Sequence, residues 1–466
     1  MNDPFDIIVI GAGPAGISAA LEADHHGATV CLLDEQASAG GQIYRNVSQS
    51  TSARTKVLGP DYLEGGKMVR DLEQSGVVHR TGVTVWKVGQ DGSVAYSKEE
   101  TAAQIKGRHI IIANGATERP TPLPGWTKAG AMTVGAAQIL MKSAGIVPTD
   151  AVLIGSGPLL YLVAQQLVSA GAPPKAVIET QTKKDLLGAT RHLVPALKGW
   201  KQLAKGLQLI AAIRMAGVPR FTAATNIAIH GEDKVDRVSF DANGKSHSIQ
   251  TTSALLHQGV VPNTQITRSI GLKHVYNAQQ HCFHPVTDAF GQSSNSVFSI
   301  AGDGAGIGGA KVAALSGKIS ALNAVCQIGI IPRGICETRA APLLKKRSSE
   351  LAIRPFLDAA YPPPTDVLRP ADDTIICRCE EVTAGDIRRF ASLGCKGPNQ
   401  AKSFGRPGMG PCQGRYCGLT VTQILAHETN QSHDAVGAYR IRAPLKPITL
   451  KELASLETPK EPETAT

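Results

Sequence analysis

At 466 residues the chain is longer than a single hydrophobic core supports, so two or three domains are expected. Its net charge of +10 comes from 48 Lys and Arg against 38 Asp and Glu, spread along the sequence, and aromatics are only 4% of residues; this excludes the clustered basic and aromatic surface of a nucleic-acid-binding protein. The 48 glycines instead suit tight strand-to-helix turns.

The N-terminal Met1-Asn2-Asp3-Pro4 carries no secretory leader pattern, and an apolar strand, Ile7-Ile8-Val9-Ile10, follows directly. That strand runs into Gly11-Ala12-Gly13-Pro14-Ala15-Gly16, then a small-residue helix, then a second strand Val30-Cys31-Leu32-Leu33 ending in Asp34-Glu35. A Gly-x-Gly-x-x-Gly turn in this strand–turn–helix setting marks a dinucleotide site. Gly11 permits the tight turn, Gly13 lets backbone approach a pyrophosphate, and Gly16 lets helix and strand pack. The helix start, at Ala15 and Gly16 after Pro14, offers unpaired N–H groups to phosphate. Asp34 stands where a carboxylate accepts from ribose hydroxyls, with Glu35 sharing or taking that role.

Three later segments resemble the two-dinucleotide-binding flavoprotein superfamily. Gly40-Gly41-Gln42 looks like the glycine pair that follows the acidic residue there. Ile110-Ile111-Ile112-Ala113-Asn114-Gly115 looks like the strand ending in Ala-Thr-Gly, with Asn114 in place of Thr, so that Ala113 and Gly115 face the cofactor. Ile300-Ala301-Gly302-Asp303 looks like the strand whose Asp holds the ribityl or pyrophosphate part of FAD. The resemblance implies FAD in this first site, another adenine nucleotide being the alternative. The helix start at Gly306-Ile307-Gly308-Gly309-Ala310-Lys311 suits either approach to a flavin phosphate or close helix packing.

Between these segments, Ala151-Val152-Leu153-Ile154-Gly155-Ser156-Gly157-Pro158-Leu159-Leu160 repeats the pattern, but Leu160 occupies the third glycine position. Glu179 ends the following strand, yet Leu160 disfavours ordinary NAD(P)H binding. The repeat predicts an inserted second Rossmann-like domain over 122–252, the first domain being made of 1–121 and 253–336. The glycines and prolines of Ala151–Ile178 exclude a continuous membrane helix there, and no transmembrane segment is expected. The redox-active cysteine pair of disulfide reductases is missing: Cys31 lies in a strand, and Cys282, Cys326 and Cys336 are isolated.

Residues 337–374, with Pro362-Pro363-Pro364 as a stiff spacer, read as a linker that packs partly on the flavin domain. Beyond it come Cys377 and Cys379, one residue apart, then Cys412 and Cys417, four apart, in a glycine-rich run. Zinc sites favour pairs two to four residues apart, whereas a [2Fe–2S] cluster takes four thiolates in varied spacings. A zinc-stapled or metal-free four-cysteine knot is the alternative, and Cys395 fits no pair spacing. Nine cysteines, four of them at ligand spacing, suit a reducing cytoplasm, at most peripheral to the inner membrane face.

Ile376-Cys377-Arg378-Cys379-Glu380-Glu381 with Gly410-Pro411-Cys412-Gln413-Gly414-Arg415-Tyr416-Cys417-Gly418 resembles the bacterioferritin-associated-ferredoxin-like [2Fe–2S] domain, which implies Cys377, Cys379, Cys412 and Cys417 as ligands of a small α-helical domain over 375–432, followed by a tail at 433–466. The full order, including Arg119-Pro120-Thr121-Pro122-Leu123-Pro124-Gly125-Trp126, resembles the alpha subunit of the opine (octopine and nopaline) oxidase, hydrogen cyanide synthase and dye-linked proline and hydroxyproline dehydrogenase family. The expected fold is therefore α/β, a two-dinucleotide-binding Rossmann-like flavoprotein with an inserted second nucleotide-binding domain and a C-terminal [2Fe–2S] domain. The resemblance further implies a D-amino-acid-oxidase-like beta subunit that oxidises a secondary amine or amino acid. It also implies FMN between the two chains, in some members a small ferredoxin-like gamma subunit, and a quinone-like acceptor. No catalytic acid, base or nucleophile is assigned to this chain.

Overall fold

The computed structural model describes residues 5–456; positions 1–4 and 457–466, the last part of the expected tail, lie outside the described residues. Strand β1 (Phe5–Ile10) is buried from Ile7 onward, as the centre of a parallel sheet covered on both faces must be. It enters α1 (Pro14–His25), where proline sits in the first turn, a place where its missing N–H costs no intrahelical bond. β2 (Val30–Leu33) and β3 (Val78–Arg80) extend the sheet in parallel. On the other side, β4 (Thr84–Val88), β5 (Ser93–Lys98) and the first half of β6 (Thr101–Ile112) form an antiparallel meander, while the second half of β6 runs parallel to β1.

A second, all-parallel sheet contains β7 (Ala131–Thr133), β8 (Ala151–Ser156), β9 (Ala176–Glu179), β10 (Arg220–Phe221) and β11 (Ser253–Gln258), in the order β10-β9-β8-β11-β7. Helices α2 (Val134–Ala144), α3 (Pro158–Ser169) and α4 (Trp200–Met215) bury Leu160, Val163 and Leu167 against Leu153 and Leu255. The return to the first sheet comes later than position 252, because β11 pairs with β8 through Gln258 and its Ala254-Leu255-Leu256 completes the apolar core of the second sheet. β12 (Phe298–Ile300) then lies parallel to β6.

Helix α5 (Ala310–Gln327) lies along α1, and Gly317 permits it: a Cβ there would sit 2.0 Å from the Ala15 carbonyl oxygen. Much of the span expected as linker is helix. α6 (Arg333–Leu351) packs on α5, and the short helices Arg354–Ala360 and Thr365–Leu368 flank the three prolines.

The cysteine-bearing unit wraps α7 (Ala384–Ser392), α8 (Pro398–Gly405) and α9 (Gly418–Glu428) around Ile387, Phe390, Ala401, Val421 and Ile424. Thr383 and Asp386 form a reciprocal capping box that fixes the start of α7. The residues expected as a tail belong to this core: Val436, Tyr439, Ile441 and Leu445 are buried in it. The chain then crosses to the first sheet, where Leu445 N donates to Trp86 O and Lys446 and Lys451 pair with Glu35 and Glu100. At the opposite side, Trp126 Nε1 donates to Ile375 O at 2.6 Å.

Candidate functional site

The first glycine turn is held by contacts that no side chain would allow. Gly11 has φ +104°, and a Cβ on Gly16 would fall 1.7 Å from the Gly11 oxygen. Gly302, at φ +73°, lies against Ala15 in the same way. α1 has no side-chain N-cap, so its first-turn N–H groups at Ala15 and Gly16 point to the outside of the turn with their partial positive charge. Asp34 is nearly buried; Oδ2 accepts from Ala12 N at 3.2 Å and Oδ1 from Gln36 N at 3.0 Å. Burial pushes its carboxyl up while those two donors pull it down. Each oxygen keeps acceptor capacity for a ribose hydroxyl. Glu35 points instead to Lys446.

Around this turn the other expected residues converge. Gly41, at φ +61°, packs with its Cα against Gly13. Asn114 Nδ2 donates to Asn263 O, while its Oδ1 is buried without a partner beside Gly304. Ala113 N closes onto Ile10 O, and Gly115, at φ +65°, accepts from Asn263 N. Asp303 does a structural job in part: its Oδ1 accepts from Gly308 N and Gly309 N, at 2.9 Å each, and so fixes the entry to α5. The helix-start donors expected for a phosphate at Gly308-Gly309 are therefore occupied.

Two cations the sequence did not single out stand beside Gln42. Arg45 is buried, donates to Gln42 Oε1 and leaves its Nε without a partner. Lys142, on α2, is 4% exposed and donates to Gln42 O at 3.1 Å and Gln138 Oε1 at 2.8 Å. Burial first, then the charge of Arg45, lower Lys142 to about 7. The unfolded chain thus holds a proton on this amine between pH 7 and the ordinary lysine value that the folded chain has lost. Stability supplied by this group rises with pH across that window, by at most about 1.4 kcal/mol per unit. Melting temperatures of the apoprotein from pH 7 to 9.5 should show the rise, and Lys142→Met should flatten it; an equal slope in both proteins would contradict a buried neutral amine.

The four cysteines come together two and two. Cys377 lies beside Cys417 and Cys379 beside Cys412, and the two pairs are near enough for their charges to interact. The neighbouring Cys417 thiol, with the backbone N–H groups of Gly408, Glu380 and Cys379, lowers Cys377 to about 6, while the neighbouring Cys377 and burial raise Cys417. Gly410 leaves room for the pair: a Cβ there would lie 2.2 Å from Cys379 Cβ. Among the described residues no three His, Cys, Asp or Glu side chains converge on a point fit for one metal ion. Cys395 stays apart, buried, with Sγ directed at Gly397 O.

Between the two sites lies a small cavity of ≈ 80 Å³, lined on one wall by Thr117, Asn263 and Arg268 and on the other by Gly414, Arg415 and Tyr439. Arg268 stacks 4.7 Å over Phe283 and gives Nε to Thr264 Oγ1; no carboxylate pairs with it among the described residues, and burial lowers it to about 10. Arg415 Nε and Gln265 Oε1 are buried without partners. Two guanidinium groups without acids make this cavity a place for an anion.

In the second sheet the corresponding turn is closed differently. Leu160 is fully buried in the core between α3 and the sheet. Glu179 is fully buried too, and its carboxylate accepts from Tyr161, Gln181 and Arg220.

The chain is 41% identical over 466 residues to the A-type subunit of opine oxidase from Rhizobium meliloti, covering 98% of this chain and 88% of that protein. The chain belongs to the family of opine oxidase A-type subunits. Within it, residues 5–317 match the pyridine nucleotide-disulphide oxidoreductase family, and residues 372–456 match the sarcosine oxidase A3 domain. The second match spans the cysteines and the residues beyond 432, in keeping with their common core. Hydrogen cyanide synthase subunit HcnB of Pseudomonas protegens is 31% identical, covering 95% of this chain and 96% of its own. The crystal structure of L-proline dehydrogenase from P. horikoshii superposes with a TM-score of 0.70 at 18% identity, over 96% of this chain and 79% of that one. Within the opine oxidase family, then, this chain is an α/β oxidoreductase of the Rossmann type, with a fold shared by FAD-dependent enzymes.

Arg45, Lys142, Arg268 and Arg415 had no motif to mark them. The one available signal was local: Arg45 follows the glycine pair by four residues, and Arg415 stands between Cys412 and Cys417.

Proposed function

We propose that this chain is the electron-transfer component of a heteromeric amine dehydrogenase of the opine oxidase type. Oxidation of a CH–NH bond in an opine or secondary amino acid takes place in a partner beta subunit, and this chain passes the electrons to a quinone-like acceptor. The observation that carries this reading is continuity. Asn263 is bonded to Gly115 of the first nucleotide site and lines the arginine cavity, whose other wall is the Gly414–Gly418 run that holds Cys417. That continuity supports a relay from flavin to cluster within one body.

FAD fits the first site: the glycine turn would bring backbone to a pyrophosphate, Asp34 would accept from a ribose hydroxyl, and the free Asn114 Oδ1 and the buried Arg45 and Lys142 are further groups of this chain that would hold it. Arg268 and Arg415 would hold the phosphate of an FMN shared with the partner. The cysteine pairs fit a [2Fe–2S] cluster. Flavin and cluster supply the exchange between two-electron and one-electron chemistry. The residues of this chain bind, orient and set charge. The sealed Glu179 and Leu160 argue against the alternative of a free-standing NAD(P)H-dependent reductase, and the open first turn against a bare scaffold. A reducing cytoplasm suits the free thiols, and a small ferredoxin-like third subunit is a further candidate partner.

The test is anaerobic purification of the chain alone and with its beta partner. About two irons and two sulfides per chain, released FAD, and visible bleaching by opines only in the complex are expected; zinc in place of iron, or bleaching of the isolated chain by NADH, would overturn the proposal. In the same complex, Arg268→Met should weaken retention of FMN on gel filtration by about 10-fold to 100-fold, the value of a charge-assisted contact, and leave FAD in place. Equal loss of both flavins would show that Arg268 serves folding instead.

A further inference from the structure

A strongly exposed apolar surface lies on the second unit, in the helical stretch 183–215. α4 has a normal core face, with Ile213 buried and Leu209 and Ile210 packed inward. Its opposite side carries a second apolar stripe that packing does not require: Trp200, Leu207, Ala211 and Met215 follow one another at helical spacing and face solvent, with Trp200 60%, Leu207 70% and Met215 83% exposed. The preceding turns add Leu187, Val194, at 80% exposure, and Leu197. At Gly188 and Gly206 a side chain would meet nothing within 4 Å, so the surface is unobstructed.

Its charge is as one-sided as its polarity. The same 33 positions hold five Lys and two Arg against one Asp, a net +6 (7 − 1) out of the +10 of the whole chain. Among the described residues only Lys205 has an acidic partner, Asp61. Lys184, Arg191 and His192 also edge an open cleft of ≈ 400 Å³, lined too by Asp358, already paired with Arg354.

We propose that this face seats the protein on an anionic phospholipid surface, with the Trp200 stripe in the headgroup boundary and the lysines on lipid phosphates. An exposed apolar stripe with a tryptophan and flanking lysines is the pattern of an interfacial helix. Protein interfaces are depleted in lysine and favour arginine, the reverse of the five-to-two ratio found here. No helix among the described residues is long and apolar enough to cross a membrane, so the contact is peripheral. It would place a chain that hands electrons to a lipid-soluble acceptor at the surface where such acceptors lie. The binding itself does not depend on that reading.

The experiment uses the full chain, and its complex with the beta subunit, in flotation with vesicles. Phosphatidylglycerol and phosphatidylcholine in equal parts should bind both at least about tenfold better than pure phosphatidylcholine, with binding lost near 0.5 M salt. Trp200→Glu with Leu207→Glu should abolish flotation without change in flavin content or circular dichroism, and Lys198→Glu with Lys201→Glu should weaken it in a salt-dependent way. Equal binding to both vesicle types, or undiminished flotation of the Trp200 and Leu207 variant, would overturn the proposal. So would a complex that no longer floats while its beta subunit shields 193–215 from hydrogen exchange, which would assign the face to the partner. Retained flavin and iron in a chain that fails to float would leave the electron-transfer reading standing.

Discussion

Cys417→Ser is expected to strip the chain of iron and to end its electron transfer. Cys417 is 1% exposed, opens α9, and forms a pair with Cys377, whose thiolate it stabilises. A serine hydroxyl is neither soft nor ionised near neutrality, so one iron of a two-iron cluster would lose a ligand it cannot replace. Iron should fall from about two per chain to background, the visible iron–sulfur absorption should vanish, and opine-dependent dye reduction by the complex should drop by on the order of 100-fold or more. The fold should persist, because the packing of Val421, Ile424 and Leu425 is untouched. Cys395→Ser is the control: that thiol is buried to the same degree but lies outside the two pairs, and its variant should keep its iron. Iron retained in Cys417→Ser, or lost equally in Cys395→Ser, would contradict the quartet.

The parts that could be read from the sequence are those whose chemistry is local. A glycine turn between an apolar strand and a small-residue helix announces itself within a dozen residues, because its constraints are steric and immediate; so do cysteines in two close pairs. What stayed out of reach depends on distant partners. Ser253–Gln258 reads as a strand from either sheet, and only its pairing with Ala151–Ser156 decides which. The residues after 432 read as a tail until Tyr439 is seen packed over Gly408 and Gly414, beside the cysteines. Asp303 shows the converse. Its position matches a cofactor-binding aspartate, yet one of its oxygens is committed to Gly308 and Gly309. Arg268 and Arg415 are 147 positions apart (415 − 268) and become a pair of cation walls only because the cysteine unit closes over the first domain.

Gly16→Ala and Gly13→Ala should separate what the first turn does for the fold from what it does for the nucleotide. At Gly16 an added Cβ would sit 1.7 Å from the Gly11 oxygen and 3.4 Å from Ala113 Cβ, and both neighbours are fixed by the sheet. The helix has to retreat, α1 loses its fit against α5, and the cost should be about 3 kcal/mol, at the upper end for overpacking. With α1 displaced, its N–H groups no longer meet a pyrophosphate, so FAD content should fall at least about tenfold. At Gly13 the nearest atom to an added Cβ is Gly41 Cα at 3.8 Å, an ordinary contact, so the apoprotein should melt where the unsubstituted apoprotein does. The new methyl would stand where backbone meets the dinucleotide, and FAD should be lost all the same. The second sheet shows that a third glycine is not demanded by the strand–turn–helix fold itself: Leu160 is accommodated there, and the tightest contact moves to Gly155, whose Cβ would lie 1.7 Å from His257 O. Full FAD content in a stable Gly13→Ala protein would therefore mean that the first turn, for all its resemblance, holds no pyrophosphate.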